Sequence, residues 1–141
     1  MSPKAAAIWA GISAGVMVIG AIGPWATAFG VFSVAGTDGD GVIVLIAGLV
    51  VGGMILLRHL KGSGIWTLVV ALLAAAIAAA TSIYDMVNIQ SAISDTHGLV
   101  SIGWGLWFDC IASVSAIVAL VYMWRAGGAA VDDAAPESPP A

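Results

Sequence analysis

The chain has 141 residues, of which 61% are hydrophobic and only 9% are charged. A soluble domain of this size cannot bury so much apolar surface, because its core is small relative to its exterior. The composition therefore predicts an integral membrane protein whose solvent is lipid. The net charge of −4 comes without a basic stripe, which argues against a nucleic-acid partner.

Four apolar stretches follow one another along the chain, at residues 5–24, 41–58, 64–84 and 101–124. At a rise of about 1.5 Å per residue, such lengths match a hydrocarbon layer about 30 Å thick. The period-two alternation of a membrane β-barrel is absent from them. The sequence thus predicts an all-α membrane protein, an antiparallel four-helix transmembrane bundle, in one domain over residues 1–125.

The first stretch has a second interpretation. It is preceded by Lys4 and followed by Ala26-Thr27-Ala28, which resembles a signal-peptidase site. Its apolar part is longer than a usual signal core, and Trp9 and Trp25 stand at its two ends. We therefore expect a permanent first span, while cleavage after Ala28 would leave three spans in the same orientation.

The charged residues predict the orientation of the bundle. Every Lys and Arg lies next to one end of a span, on what should be one side of the membrane, at Lys4, Arg58, Lys61 and Arg125. The other two loops hold no basic residue and contain Asp38, Asp40, Asp85 and Asp95. By the positive-inside rule, both termini should be cytoplasmic in the cell (plasma) membrane, with two acidic loops outside.

Aromatic residues support this orientation independently. Trp and Tyr prefer the headgroup level, and those of this chain fall near span ends. The predicted inner belt contains Trp9, Trp66, Tyr122 and Trp124, and the outer belt contains Trp25, Tyr84, Trp104 and Trp107. One or two of these rings could instead belong to the bundle core.

The segments outside the spans have distinct characters. In the first outer loop, residues 29–34 are β-prone and residues 37–41 form a turn sequence, which predicts a short strand or hairpin. The second outer loop, residues 85–98, is polar and could extend the third helix. The tail, residues 126–141, is rich in Ala, Pro and acidic residues, which predicts a disordered cytoplasmic segment.

Asp38 and Asp40 resemble the opening of a calcium loop. The closing bidentate Glu is missing, because Leu49 stands at its position within the second span. The favoured interpretation is an acidic turn at the outer end of the second helix, where the helix dipole suits Asp40. The lone Cys110 excludes an internal disulfide and a thiolate zinc site, and His59 and His97 fall on opposite sides. We expect no metal and no cofactor.

Asp109 is the ionisable residue placed deepest in a predicted span, five residues after Trp104. A carboxylate facing lipid at that depth is costly, so the side chain should face the bundle. Gly105, Asp109 and Ser113 form a small, polar stripe on one helix face. The stripe is either an ion- or proton-linked site or the place of a helix-to-helix hydrogen bond, to Ser82, Thr81, Tyr84 or a Trp N–H.

Small residues recur at four-residue intervals in three of the spans. Such faces let helices approach closely and can equally serve a partner or a homo-oligomer. The pattern comprises Ala7, Gly11 and Gly15, then Gly48 and Gly52, then Ala71, Ala75 and Ala79.

Two segments together resemble a known group of sequences. They are Pro24-Trp25 followed by the loop ending Asp38-Gly39-Asp40-Gly41, and Gly103-Trp104-Gly105-Leu106-Trp107. The combination resembles small, uncharacterised four-span membrane proteins of actinobacteria and their phages, over about residues 5–125. Four spans with a strand-forming first outer loop are also similar to the claudin plan, without the claudin cysteines. The resemblance implies the four-span architecture and no activity.

The residues present favour a function without catalysis. The chain offers no His and Asp placed to activate a serine, no paired metal ligands and no phosphate loop. The leading hypothesis is a non-enzymatic accessory, scaffold or envelope-associated factor acting through helix packing and outer loops, with lipid and a homo-oligomer or membrane-protein partner. The alternative is an oligomeric channel, transporter, phage-type holin or superinfection-exclusion protein that uses the Asp109 face.

Overall fold

The computed structural model describes residues 1–62 and 64–132 as four long helices and a small sheet. The helices are α1 (Pro3–Ile22), α2 (Gly41–Lys61), α3 (Trp66–Asp95) and α4 (Trp104–Asp132). The strands are β1 (Pro24–Ala28), β2 (Phe32–Ala35) and β3 (Val100–Ile102), and a 3-10 turn covers Gly36–Asp38. Each helix packs against two neighbours, in the cyclic order α1, α2, α3, α4. The chain therefore forms the predicted antiparallel bundle, with a sheet at one end.

Local sequence signals explain where the helices begin and end. The Ser2 hydroxyl accepts the Ala5 N–H at 3.1 Å, and Pro3 occupies the first helical position of α1. Pro24 then stops α1, since its ring cannot continue a helix. Gly62 ends α2 in the left-handed conformation, with φ of 59°.

The bundle core consists of small residues, and most large apolar side chains point outward. The buried positions are dominated by alanine, for example Ala10, Ala75 and Ala116, each with no exposed surface. Exposed side chains include Ile12, Leu49, Leu73, Ile77 and Val118. Small interfacial residues bring helix backbones close together, as in membrane bundles. All four helices are long and apolar enough to cross a membrane.

The sheet has three antiparallel strands in the order β2, β1, β3, so that β1 is central. Its cross-strand partners share one face, which makes the sheet amphipathic. The hydroxyl-bearing face contains Thr27, Ser33 and Ser101, and the opposite face contains Ala26, Ala28, Phe32, Val34, Val100 and Ile102. The predicted hairpin of the first outer loop is thus present, and the second outer loop adds a strand that the sequence did not predict.

Three predicted boundaries differ from the structure. Helix α3 continues to Asp95, eleven residues beyond the predicted end of the third span, so the second outer loop does extend the third helix, and α3 packs against β3. The fourth helix begins at Trp104 rather than at residue 101, because residues 100–102 pair with β1. Residues 126–132, predicted to be disordered, extend α4 as an alanine-containing helical continuation. The rest of the predicted disordered tail lies outside the described residues.

Candidate functional site

Asp109 lies in the second turn of α4 and has no exposed surface. The Trp25 indole Nε1–H, at the base of β1, donates to Asp109 Oδ2 at 3.1 Å. The same N–H lies 3.2 Å from the carbonyl oxygen of Gly20 near the end of α1. One indole therefore joins three elements, α1, β1 and α4, within the buried part of the molecule.

Glycine makes this junction possible by letting two backbones meet. A Cβ built at Gly20 would stand 2.8 Å from both Asp109 Cγ and the Gly105 carbonyl oxygen. A Cβ at Gly105 would stand 2.5 Å from the Gly20 carbonyl oxygen. A Cβ at Gly36 would stand 2.5 Å from Trp25 Cε2, so this glycine packs directly against the indole. We call Gly20, Trp25, Gly36, Gly105 and Asp109 the Trp25–Asp109 joint.

Backbone hydrogen bonds fasten the start of the sheet to the same place. The Gly103 N–H donates to the Trp25 carbonyl oxygen at 2.8 Å, and the Gly36 N–H donates to the Gly23 carbonyl oxygen at 3.0 Å. Register between β1 and β2 shifts between Pro24 and Ala26, a β-bulge at the position of Trp25. A bulge turns a side chain out of the regular alternation, which is how Trp25 reaches the bundle from the strand.

The predicted polar stripe of α4 is assembled in one place. Gly105, Asp109 and Ser113 are all buried, and the Ser113 hydroxyl donates to the Asp109 carbonyl oxygen at 2.7 Å. Among the partners expected for Asp109, the structure selects a Trp N–H. Trp25 is 5% exposed, so it is one of the aromatic residues for which the alternative position, the bundle core, holds. Its ring belongs to the core, because the small residues around it leave a space that a large ring fills.

Three buried side-chain oxygens have no hydrogen-bond partner among the described residues, namely Asp109 Oδ1, Ser82 Oγ and Asp85 Oδ2. Asp109 and Ser82 have no exposed surface, and Asp85 is half-buried. Asp109 Oδ1 faces the Gly20 backbone, while Ser82 lies on α3. Within the described part of the chain, no group of three His, Cys, Asp or Glu side chains could hold a metal ion. The interactions that the structure shows around Asp109 are hydrogen bonds.

The predicted acidic turn directly follows Gly36 of this joint, and its two aspartates are exposed at the start of α2. Asp38 Oδ2 accepts the Ala35 N–H at 3.3 Å, which closes the 3-10 turn. Asp40 occupies the N-cap position of α2 and makes no side-chain capping hydrogen bond. Its charge is near enough to Asp85 of α3 for the two carboxylates to repel each other.

The predicted helix-packing glycines divide into two groups. A Cβ at Gly48 would stand 3.1 Å from the Ala14 carbonyl oxygen, and one at Gly52 would stand 3.6 Å from the Ala14 Cβ. These two glycines therefore line the contact between α2 and α1. A Cβ at Gly11 or Gly15 would meet nothing within 4 Å, so these two glycines line no contact between helices of this bundle, and their service to a partner or a homo-oligomer stays a prediction. They lie on the side of α1 that turns away from its neighbours.

Of the three glycines in the joint, the sequence predicted Gly105 as a site residue and did not identify Gly20 and Gly36. The signal was present in the two segments that carry the resemblance, Pro24-Trp25 and Gly103-Trp104-Gly105, which meet in space here. Spacing within one helix could not identify Gly20 or Gly36, because their close neighbours come from other elements. Only the pairing of distant segments reveals them.

In comparisons with protein-family models, with curated proteins and with solved structures, nothing matches this chain.

Proposed function

We propose that the protein is a multi-pass protein of the cell membrane, with cytoplasmic termini, that acts without catalysis. Its role is that of an accessory, scaffold or envelope-associated factor, in which the bundle holds an outer sheet in a fixed position for a partner. The orientation rests on the four basic residues, which lie at the end of the bundle opposite to the sheet. We call these two ends the basic end and the sheet end.

The apolar tip of the β1–β2 hairpin carries this proposal. Phe29, Val31 and Phe32 are 66%, 79% and 70% exposed, and Val34 is also exposed. No charged residue occurs between Lys4 and Asp38, so the whole hairpin is uncharged. Helix α3 packs against β3, and the edge of β2 that faces away from β1 pairs with no other strand among the described residues. An exposed apolar edge strand is a template for association, which most monomeric proteins avoid.

The Trp25–Asp109 joint supports the same proposal. A sheet of three short strands is weak alone, and attachment of its central strand to α1 and α4 gives it a fixed position. One oxygen of the Asp109 carboxyl group accepts the Trp25 N–H in this attachment. This hydrogen bond gives the polar Asp109 a structural role within the apolar helix α4.

Photocrosslinking in intact cell membranes tests the proposal. A benzoylphenylalanine at position 31, on the hairpin tip, should give one discrete adduct with a protein partner or a second copy. Phe32→Asp should abolish that adduct, since a charge opposes apolar association. The matched control places the photocrosslinker at Ile12, which is 59% exposed on α1 and should give lipid adducts only. The proposal fails if position 31 gives no protein adduct.

The unpartnered oxygens of Asp109 and Ser82 favour a second candidate, an oligomeric channel or transporter. Polar atoms without partners inside an apolar bundle are typical of ion pathways. Proteoliposomes containing the purified protein should then conduct ions or protons. Flux that Asp109→Asn abolishes, while assembly is retained, would place this candidate above the first.

A further inference from the structure

A cavity of about 640 Å³ opens at the basic end of the bundle, between the start of α1, the last turns of α2 and the last turns of α4. This cavity and the Trp25–Asp109 joint lie at opposite ends of the bundle, and neither proposed function uses the cavity. Its volume falls within the range of small-molecule and cofactor sites, about 300–1,000 Å³.

Basic side chains line the rim of this cavity. Lys4 enters from α1, and Arg58 and His59 enter from α2. Arg58 Nη1 donates to the Gly64 carbonyl oxygen at 3.3 Å, which holds the guanidinium beside the connection from α2 to α3. A guanidinium presents N–H donors in a planar fork, a geometry that suits a phosphate group.

The walls below the rim are apolar. Ile8 of α1, Ile55 of α2 and Met123 of α4 line the cavity on the side of the bundle interior. Ile8 is 65% exposed, so this wall continues onto the outer surface of the helices. A ligand that fits both parts carries an anionic group next to an aliphatic chain.

We propose that this cavity, the basic cavity, binds one anionic phospholipid, with its phosphate at Lys4, Arg58 and His59 and an acyl chain along Ile8, Ile55 and Met123. The inference rests on the proposed placement of the bundle in a membrane, where the basic end lies at headgroup level. Cationic pockets between membrane helices at that level are suited to phosphorylated headgroups. A free phosphate would satisfy the rim and leave the apolar wall in contact with water, so the lipid is the better match.

Native mass spectrometry of the full-length protein in detergent tests this site. Dioleoylphosphatidylglycerol or dioleoylphosphatidylcholine is added in equal amounts, and the lipid-bound fraction is read from the spectrum. We expect one phosphatidylglycerol retained per chain and several-fold less phosphatidylcholine. Lys4→Gln combined with Arg58→Gln should lower phosphatidylglycerol affinity about 30-fold, since two cationic contacts are lost.

Lys61→Gln combined with Arg125→Gln is the matched control. It removes the same charge from the same end of the bundle, and neither residue lines the basic cavity. This control should change the affinity less than about threefold. Equal losses in the two double variants would overturn the site, because they would indicate general charge attraction. Equal retention of the two lipids by the unaltered protein would overturn it as well.

Ala7→Phe provides a test without a change of charge. Ala7 lines the cavity beside Ile8, and an aromatic ring there should occupy the space of the acyl chain and lower lipid retention. If Arg58→Gln disturbs the connection from α2 to α3, Ala7→Phe still tests whether the cavity binds lipid. Unchanged retention in Ala7→Phe would contradict the proposed position of the chain.

Each variant is first extracted with carbonate at high pH. A protein that leaves the membrane in this step would contradict the proposed function as a membrane protein. A protein that stays and binds no phosphatidylglycerol would contradict the lipid site alone.

Discussion

Replacing Gly20 of α1 by alanine should destabilise the bundle, whereas the same replacement at Gly15 of α1 should not. At Gly20, the new Cβ would lie 2.8 Å from Asp109 Cγ and from the Gly105 carbonyl oxygen, whereas ordinary contact begins at 3.4 Å. Because one of these neighbours is backbone, α1 and α4 must move apart by about 0.6 Å. At Gly15, a Cβ would meet nothing within 4 Å.

The magnitudes follow from overpacking and helix propensity. Overpacking costs about 1–3 kcal/mol, and replacing glycine by alanine within a helix gains up to about 1 kcal/mol. Gly20→Ala should therefore destabilise the bundle by about 1–2 kcal/mol, and Gly15→Ala should be neutral or stabilising. For a chain of this length, the first change lowers Tm by about 3–8 °C.

Thermal unfolding in one detergent, followed by circular dichroism, measures both variants. Gly105→Ala places a Cβ 2.5 Å from the Gly20 carbonyl oxygen, so it separates the same two helices. Combining Gly20→Ala with Gly105→Ala should cost less than the sum of the single changes, because the helices need to separate only once. A Tm unchanged by Gly20→Ala, or lowered equally by Gly15→Ala, would refute the close approach of the two backbones.

Three further predictions concern other contacts of α1 and the sheet. Trp25→Phe removes the N–H that binds Asp109, and hydrogen exchange of the β1 amides should become faster while the mid-helix amides of α3 keep their protection. The mature protein should keep its full mass, because cleavage after Ala28 would remove α1 and the central strand β1 from the fold; a product shortened by 28 residues would contradict this. Trp9 donates to the Ser115 hydroxyl at 2.6 Å, and a double-mutant cycle of Trp9→Phe and Ser115→Ala should give a coupling of about 0.6–1.5 kcal/mol. A coupling near zero would contradict that bond.

The helices could be predicted from the sequence because each depends on local composition. Apolar length, Pro24 and Gly62 determine where α1 and α2 end, and these signals act within a few residues. The burial of Asp109 was predictable for a related reason, since helical periodicity places it on one face with Gly105 and Ser113.

The sheet and the joint could not be predicted in full, because both depend on contacts between distant segments. Three residues, Val100–Ile102, are too few for an alternation pattern, and they form a strand only because β1 offers an open edge. Gly11 and Gly15 show the limit of a pattern within one helix, because they line no contact inside the bundle. Their four-residue spacing is the pattern of a packing face, yet spacing alone does not tell which side of a helix meets its neighbours.

The basic residues have two proposed roles, orientation and lipid binding, and the two double variants separate these roles. Each double variant removes two of the four basic residues and leaves two at the basic end, while the sheet end has none. Because the positive-inside bias counts Lys and Arg on each side, both variants should keep the same orientation. Thr37→Cys in a Cys110→Ser background should therefore react with an impermeant maleimide from outside the cell in both. If only the Lys4 and Arg58 variant lost this labelling, its lower lipid binding would reflect inverted insertion instead of a lost binding site.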